Sequence, residues 1–147
     1  MEMGVEAWMV GRALLAGVLG ALVGWEREAH GREAGVRTYA AVTMGSCIFG
    51  LVSAHVAGAD PTRISAQVVT GIGFLCAGVI VREQGRITGL TTAATIWAMS
   101  AVGLAIAYDL YILGVVTALI MYGLLSVHHL ISPTRTKKTK DEDKNLP

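Results

Sequence analysis

Four long runs of the chain carry no formal charge: Thr38–Ala59, Ile64–Val81, Ile87–Tyr108 and Leu110–Thr134. A helix needs about 20 apolar residues, at roughly 1.5 Å each, to cross a bilayer core. A chain of 147 residues has too little interior to hide four such runs in a soluble fold. Composition agrees, with 53% hydrophobic and 16% charged residues, against about 45–50% and 25% in ordinary globular domains. A fifth run, Ala7–Gly24, is interrupted by Arg12. Arginine there either snorkels to the interface as an anchor or pairs with a partner inside the bundle.

The expected fold is therefore all-α: a polytopic transmembrane bundle of five helices over residues 1–133. A short polar cytoplasmic tail, 134–147, follows; it is too poor in apolar residues to build a core. Basic residues set the orientation. Arg27, Arg32, Arg37, Arg82, Arg86, Arg135 and four tail lysines fall on one side of a five-span arrangement, and Arg63 alone on the other. The N-terminus is expected outside and the C-terminus in the cytoplasm. The formal net charge of +1 gives no case for nucleic-acid binding.

The segment Asp60–Arg82, DPTRISAQVVTGIGFLCAGVIVR, organises the middle of the chain. Asp60 before Pro61 reads as a helix start, with an N-cap acceptor and then proline at the first helical position. At helical spacing Arg63, Gln67, Thr70, Gly71, Phe74, Gly78 and Arg82 fall on or near one stripe, beside the small pair Gly73 and Ala77. Small residues let helices approach closely in lipid, and a glutamine there needs a partner. This predicts a helix buried among its neighbours, with Gly71, Gly73 and Gly78 as packing positions. Trp25–Arg37 reads as a polar loop, and Arg82–Arg86 as a short charged one.

Chemistry is sparse. No nucleophile–base pair, HExxH, CxxC or phosphate loop occurs, so no catalytic residue is assigned and the chain is not expected to be an enzyme. Cys47 and Cys76 lack metal-ligand spacing and read as small hydrophobes. His128 and His129 point in different directions on a helix and read as interfacial. Mg²⁺ takes oxygen ligands, and the carboxylates that could offer them sit at the ends of the runs; Asp60 is the metal candidate. Arg27, Arg37 and Arg82, with Glu26 and Glu28, form either a cytoplasmic docking or anion site or simply a topology signal with local ion pairs. Asp60 and Arg63 are either cap and anchor or an external polar site. Thr91, Thr92 and Thr95 can hydrogen-bond within their helix or across to a neighbour.

Three blocks, GWERE…AGVRT (Gly24–Thr38), DPTRISAQVVTGIGFLCAG (Asp60–Gly78) and GLTTAATIW (Gly89–Trp97), resemble the MgtC/SapB family of bacterial inner-membrane proteins. Cys76 departs from the glycine common there, and so does the segment between Glu28 and Ala34. Some members continue into a cytoplasmic ACT-like domain; none is read in this sequence, so nothing residing there is carried over. The resemblance implies an inner-membrane protein supporting magnesium homeostasis and adaptation to low Mg²⁺, linked to virulence in pathogens. The resemblance further implies action by regulating membrane partners, including the ATP synthase; the alternative is a Mg²⁺ transporter or channel. It adds Thr38 to the functional polar candidates. The partners implied are lipid, other membrane proteins and a possible second copy; no cofactor is firmly implied, and Mg²⁺ is the one candidate.

Overall fold

The computed structural model describes residues 3–55, 60, 62–83 and 86–131. The tail 134–147, the connection around Gly58 and the side chains of His128 and His129 lie outside the described residues. Five helices follow in order: α1 (Met3–Ala29), α2 (Val36–His55), α3 (Arg63–Val79), α4 (Leu90–Ala107) and α5 (Tyr111–Ile131). By length and composition α1, α2 and α4 are apolar and long enough to cross a membrane, whereas α3 is shorter, at 17 residues.

The helix ends differ from the expected ones in two places. Trp25–Ala29 is helical rather than loop. Glutamate, arginine and alanine are good helix formers, and Gly31, at φ 65°, supplies the stop. Its N–H donates to the Glu28 carbonyl at 3.0 Å and the Arg32 N–H to the Arg27 carbonyl at 3.0 Å, the Schellman pattern. The charged link after α3 is also not irregular. It forms an antiparallel hairpin, β1 (Val81–Glu83) with β2 (Arg86–Thr88), pairing Arg82 with Ile87. The described fold is therefore five helices plus this small ribbon. Asp60 accepts from the Thr62 N–H at 2.9 Å and hydroxyl at 2.7 Å, a turn ahead of the helix and not the expected N-cap: α3 begins at Arg63, with Thr62 as its N-cap and no side-chain capping bond.

α2 lies at the centre, packed on α1 and α4. Successive helices alternate in direction. Gly20 of α1 meets Tyr39 and Thr43 of α2, Cys76 of α3 meets Ala93 of α4, and Gly114 of α5 meets Ile106 of α4. The core runs through Val23, Tyr39, Cys47, Met99, Val102 and Ile106. Two glycines allow the closest approaches between helices. A Cβ on Gly20 would run into the Tyr39 carbonyl, and one on Gly103 into the Thr43 carbonyl.

α3 contradicts its expected burial. Its inner stripe, Ser65, Val68, Ile72, Cys76 and Val79, is buried or half-buried, and Cys76 Sγ donates to the Ala93 carbonyl at 3.2 Å. The stripe of Gln67, Thr70, Gly71, Phe74 and Gly78 faces outward, with Phe74 84% exposed. Added Cβ atoms at Gly71, Gly73 and Gly78 would meet nothing within 4 Å. These glycines do not pack the bundle within one chain; Ser65, Val68, Ile72, Cys76 and Val79 take the inner side instead.

The two glycine classes separate by mutation. Gly103→Leu is expected to destabilise the bundle by at least about 1–3 kcal/mol through overpacking, whereas Gly71→Leu leaves stability unchanged. Unfolding of the purified protein by SDS titration in mixed micelles checks this; equal midpoints for the two variants would contradict the packing described.

Candidate functional site

The charges of GWERE do not all reach solvent. Because α1 continues past Trp25, Glu26 and Arg27 are carried into the bundle, each 4% exposed. Arg27 Nη2 donates to Thr92 Oγ1 at 2.8 Å, joining the end of α1 to the start of α4. The Tyr39 hydroxyl, fully buried, lies beside Arg27 and Thr95 and donates to the Thr92 carbonyl over 3.4 Å. Thr95 donates to the Thr91 carbonyl at 2.7 Å. Arg27 Nε finds no hydrogen-bond partner, although it is buried.

Glu26 sits beside His30. His30 Nδ1 is 2.7 Å from the Glu26 carbonyl, which can only accept, so Nδ1 carries the proton. The same nitrogen is 3.1 Å from Glu26 Oε1, a poorer second contact, and neither carboxylate oxygen has a well-aligned donor. Glu28, one residue beyond Arg27, is exposed and accepts from the Val36 N–H at 3.0 Å, tying down the first turn of α2.

A cavity of about 540 Å³ opens beside this cluster, between the end of α1, the β2–α4 turn and α5. Arg27, Arg32, Thr88, Thr91, Thr92 and Thr95 form its polar wall, and Leu124 and Leu125 part of its apolar one. The turn is fixed by Gly89, at φ 84°, where any Cβ would strike the Val79 carbonyl. α4 starts there without a side-chain cap.

The other candidates lie apart. Arg37 and Thr38 are exposed on the first turn of α2, and Arg82 is exposed on β1. They share an end of the bundle with Arg27 without entering the cluster. Asp60 and Arg63 are exposed at the opposite end. There, hydrogen bonds from the Thr62 backbone and hydroxyl hold the Asp60 carboxyl below the usual carboxylate range. Arg12 belongs to that end too, and its ion-pair partner is exposed there and not inside the bundle. It bridges to Asp109, donates to the Ala107 carbonyl at 3.3 Å, and lies 5.7 Å from the Tyr111 ring centre. Among the described residues, no group of three His, Cys, Asp or Glu is placed to hold a metal ion.

Gln67 lies in a second concavity, of about 440 Å³, between α2 and α3. Gly45 and Gly71 line it with Val42, Phe49 and Leu75. Sequence reasoning missed Tyr39 and Arg32. Tyr39 follows Thr38 in an otherwise small-residue stretch, and its size was the available signal.

An apolar helical bundle with polar clusters at its two ends is a membrane-protein architecture, and the comparisons agree. The profile of the MgtC family matches residues 13–133, and the chain belongs to that family. It is 40% identical over 131 residues to the "Putative magnesium transporter YhiD" of Escherichia coli (strain K12), covering 82% of this chain and 60% of that one. "Protein MgtC" of Brucella abortus (strain 2308) is 49% identical over 94 residues, 62% of this chain and 40% of its own. "Protein MgtC" of Salmonella typhimurium (strain LT2) is 50% identical over 90 residues, 61% of this chain and 39% of its own. The chain thus spans less than two thirds of the length of each of these relatives. No solved structure matches it significantly.

Replacing Thr92 tests the cluster. Thr92→Val removes the 2.8 Å acceptor of the buried Arg27 and is expected to cost about 1–3 kcal/mol, while Thr92→Ser, which keeps the hydroxyl, costs little of this. SDS-titration midpoints decide; equal losses in the two variants would remove the hydrogen bond as the cause.

Proposed function

We propose that this chain is a five-span protein of the bacterial inner membrane, N-terminus outside and C-terminus in the cytoplasm. It supports magnesium homeostasis and adaptation to low Mg²⁺ by regulating a membrane partner. Membership of the MgtC family supports the link to magnesium. The partition of arginines supports the orientation: Arg27, Arg32, Arg37, Arg82 and Arg86 stand at the end where α1 finishes and α4 starts.

One observation carries the regulatory reading. The α2–α3 concavity is lined by small residues, Gly45 and Gly71, and by Gln67, and added Cβ atoms at both glycines would meet nothing within 4 Å. A glutamine amide facing lipid is costly, and a second helix seated against small residues would satisfy it. The occupant we propose is a transmembrane helix of a partner protein. The ATP synthase is the first partner to test. In the competing reading, favoured by the name of the E. coli relative, the chain moves Mg²⁺ and Asp60 is the external mouth.

Two measurements separate the readings. A photo-crosslinker placed at Gln67 in cells grown in low Mg²⁺ is expected to capture a membrane protein, and Gly71→Leu to abolish the capture while the chain still inserts. Purified protein in proteoliposomes is expected to give no saturable Mg²⁺ flux. Saturable flux that is lost in Asp60→Asn, with no crosslink from Gln67, would replace regulation by transport.

A further inference from the structure

The cavity at the start of α4 is built for an anion. Its polar wall has two guanidinium groups, those of Arg27 and Arg32, and the hydroxyls of Thr88, Thr91, Thr92 and Thr95, and no carboxylate lines it. The first turn of an α-helix leaves its leading N–H groups without intrahelical partners and carries a partial positive charge. In α4 these belong to Leu90, Thr91 and Thr92, all of which line the cavity, and no side chain caps them. A helix start alone would mean little. Here it coincides with Arg27, which is 4% exposed, meets only neutral hydroxyls, those of Thr92 and Tyr39, and has a buried Nε with no partner. Buried charges ordinarily come paired. The nearest buried carboxylate in sequence, Glu26, does not line this cavity and is turned to His30.

The composition of the walls narrows the ligand class. Guanidinium groups with hydroxyls and free helix N–H groups match the tetrahedral oxygens of a phosphate, which accept from several directions at once. Opposite them stand Met121, Leu124 and Leu125, which would cover an apolar body attached to that phosphate. We infer that this cavity is a binding site for a phosphate group, held by Arg27, Arg32, Thr91, Thr92 and the uncapped start of α4. The phosphate is the chemistry shared by an anionic phospholipid headgroup and by free inorganic phosphate. The site is independent of whether the protein regulates or transports.

Native mass spectrometry of the full chain tests this. Protein stripped into a neutral detergent is titrated in one arm with inorganic phosphate and in the other with phosphatidylglycerol, using phosphatidylcholine as the zwitterionic control. A specific adduct is expected in at least one arm, and the arm that yields it names the source. Arg27→Gln is expected to weaken that adduct by about tenfold or more, and Arg32→Gln, which alters an exposed side chain and leaves packing intact, by about threefold to tenfold. Arg63→Gln, at the opposite end of the bundle, leaves it unchanged. The inference is overturned if neither arm gives an adduct beyond the control, or if Arg32→Gln and Arg63→Gln weaken it equally. Failure here leaves the crosslink from Gln67 untouched, so the two proposals stand or fall separately.

Discussion

Two glycines from different helices press on the same stretch of α2. Gly20 of α1 abuts Tyr39 and Thr43, and Gly103 of α4 abuts Thr43 from its own direction. In lipid, helices gain little from burying apolar surface against one another, since the surroundings are equally apolar. What draws them together is close packing, and that needs backbone against backbone. The α1–α2–α4 sandwich rests on this contact, and the order of the other elements follows from it. α5 covers one side of α4, and α3 is laid against α4 and α2 along a single stripe.

Polar contacts then fix the two ends of the sandwich. At one end Arg27 reaches Thr92; at the other Arg12 reaches Asp109 and the Ala107 carbonyl. Both arginines come from α1, and both reach the α4 side of the bundle. Side by side, the C-terminal turn of α1 and the N-terminal turn of α4 present opposite partial charges. Arg27 in the last turn of α1 is placed where a cation is favoured, and the start of α4 remains the place where an anion is favoured.

The helical character and the membrane class were legible because long charge-free runs have few other uses. Helix faces were legible as periodicity, and the stripe through Gln67, Gly71 and Gly78 does lie on one side of α3. Which side meets the bundle was not legible. A small-residue stripe looks the same in sequence whether it packs inside the chain or waits for another. The cluster was half legible. Glu26, Arg27, Thr91 and Thr92 stood out in two separate blocks, but the loop assigned to Trp25–Arg37 placed Arg27 in solvent. Recognising Gly31 as the true helix stop would have turned that charge inward. The hairpin escaped because three-residue strands are too short to show an alternation.

That hairpin leaves two outer strand edges at the rim of the bundle, where unpaired backbone groups would ordinarily invite another chain to add a strand. Its strands are three residues each, too few to template a lasting ladder. Arg82 and Arg86 add like charge to any second ribbon that approaches in register. The ribbon can therefore brace the turn between α3 and α4 without becoming a point of sheet-to-sheet association in a crowded membrane.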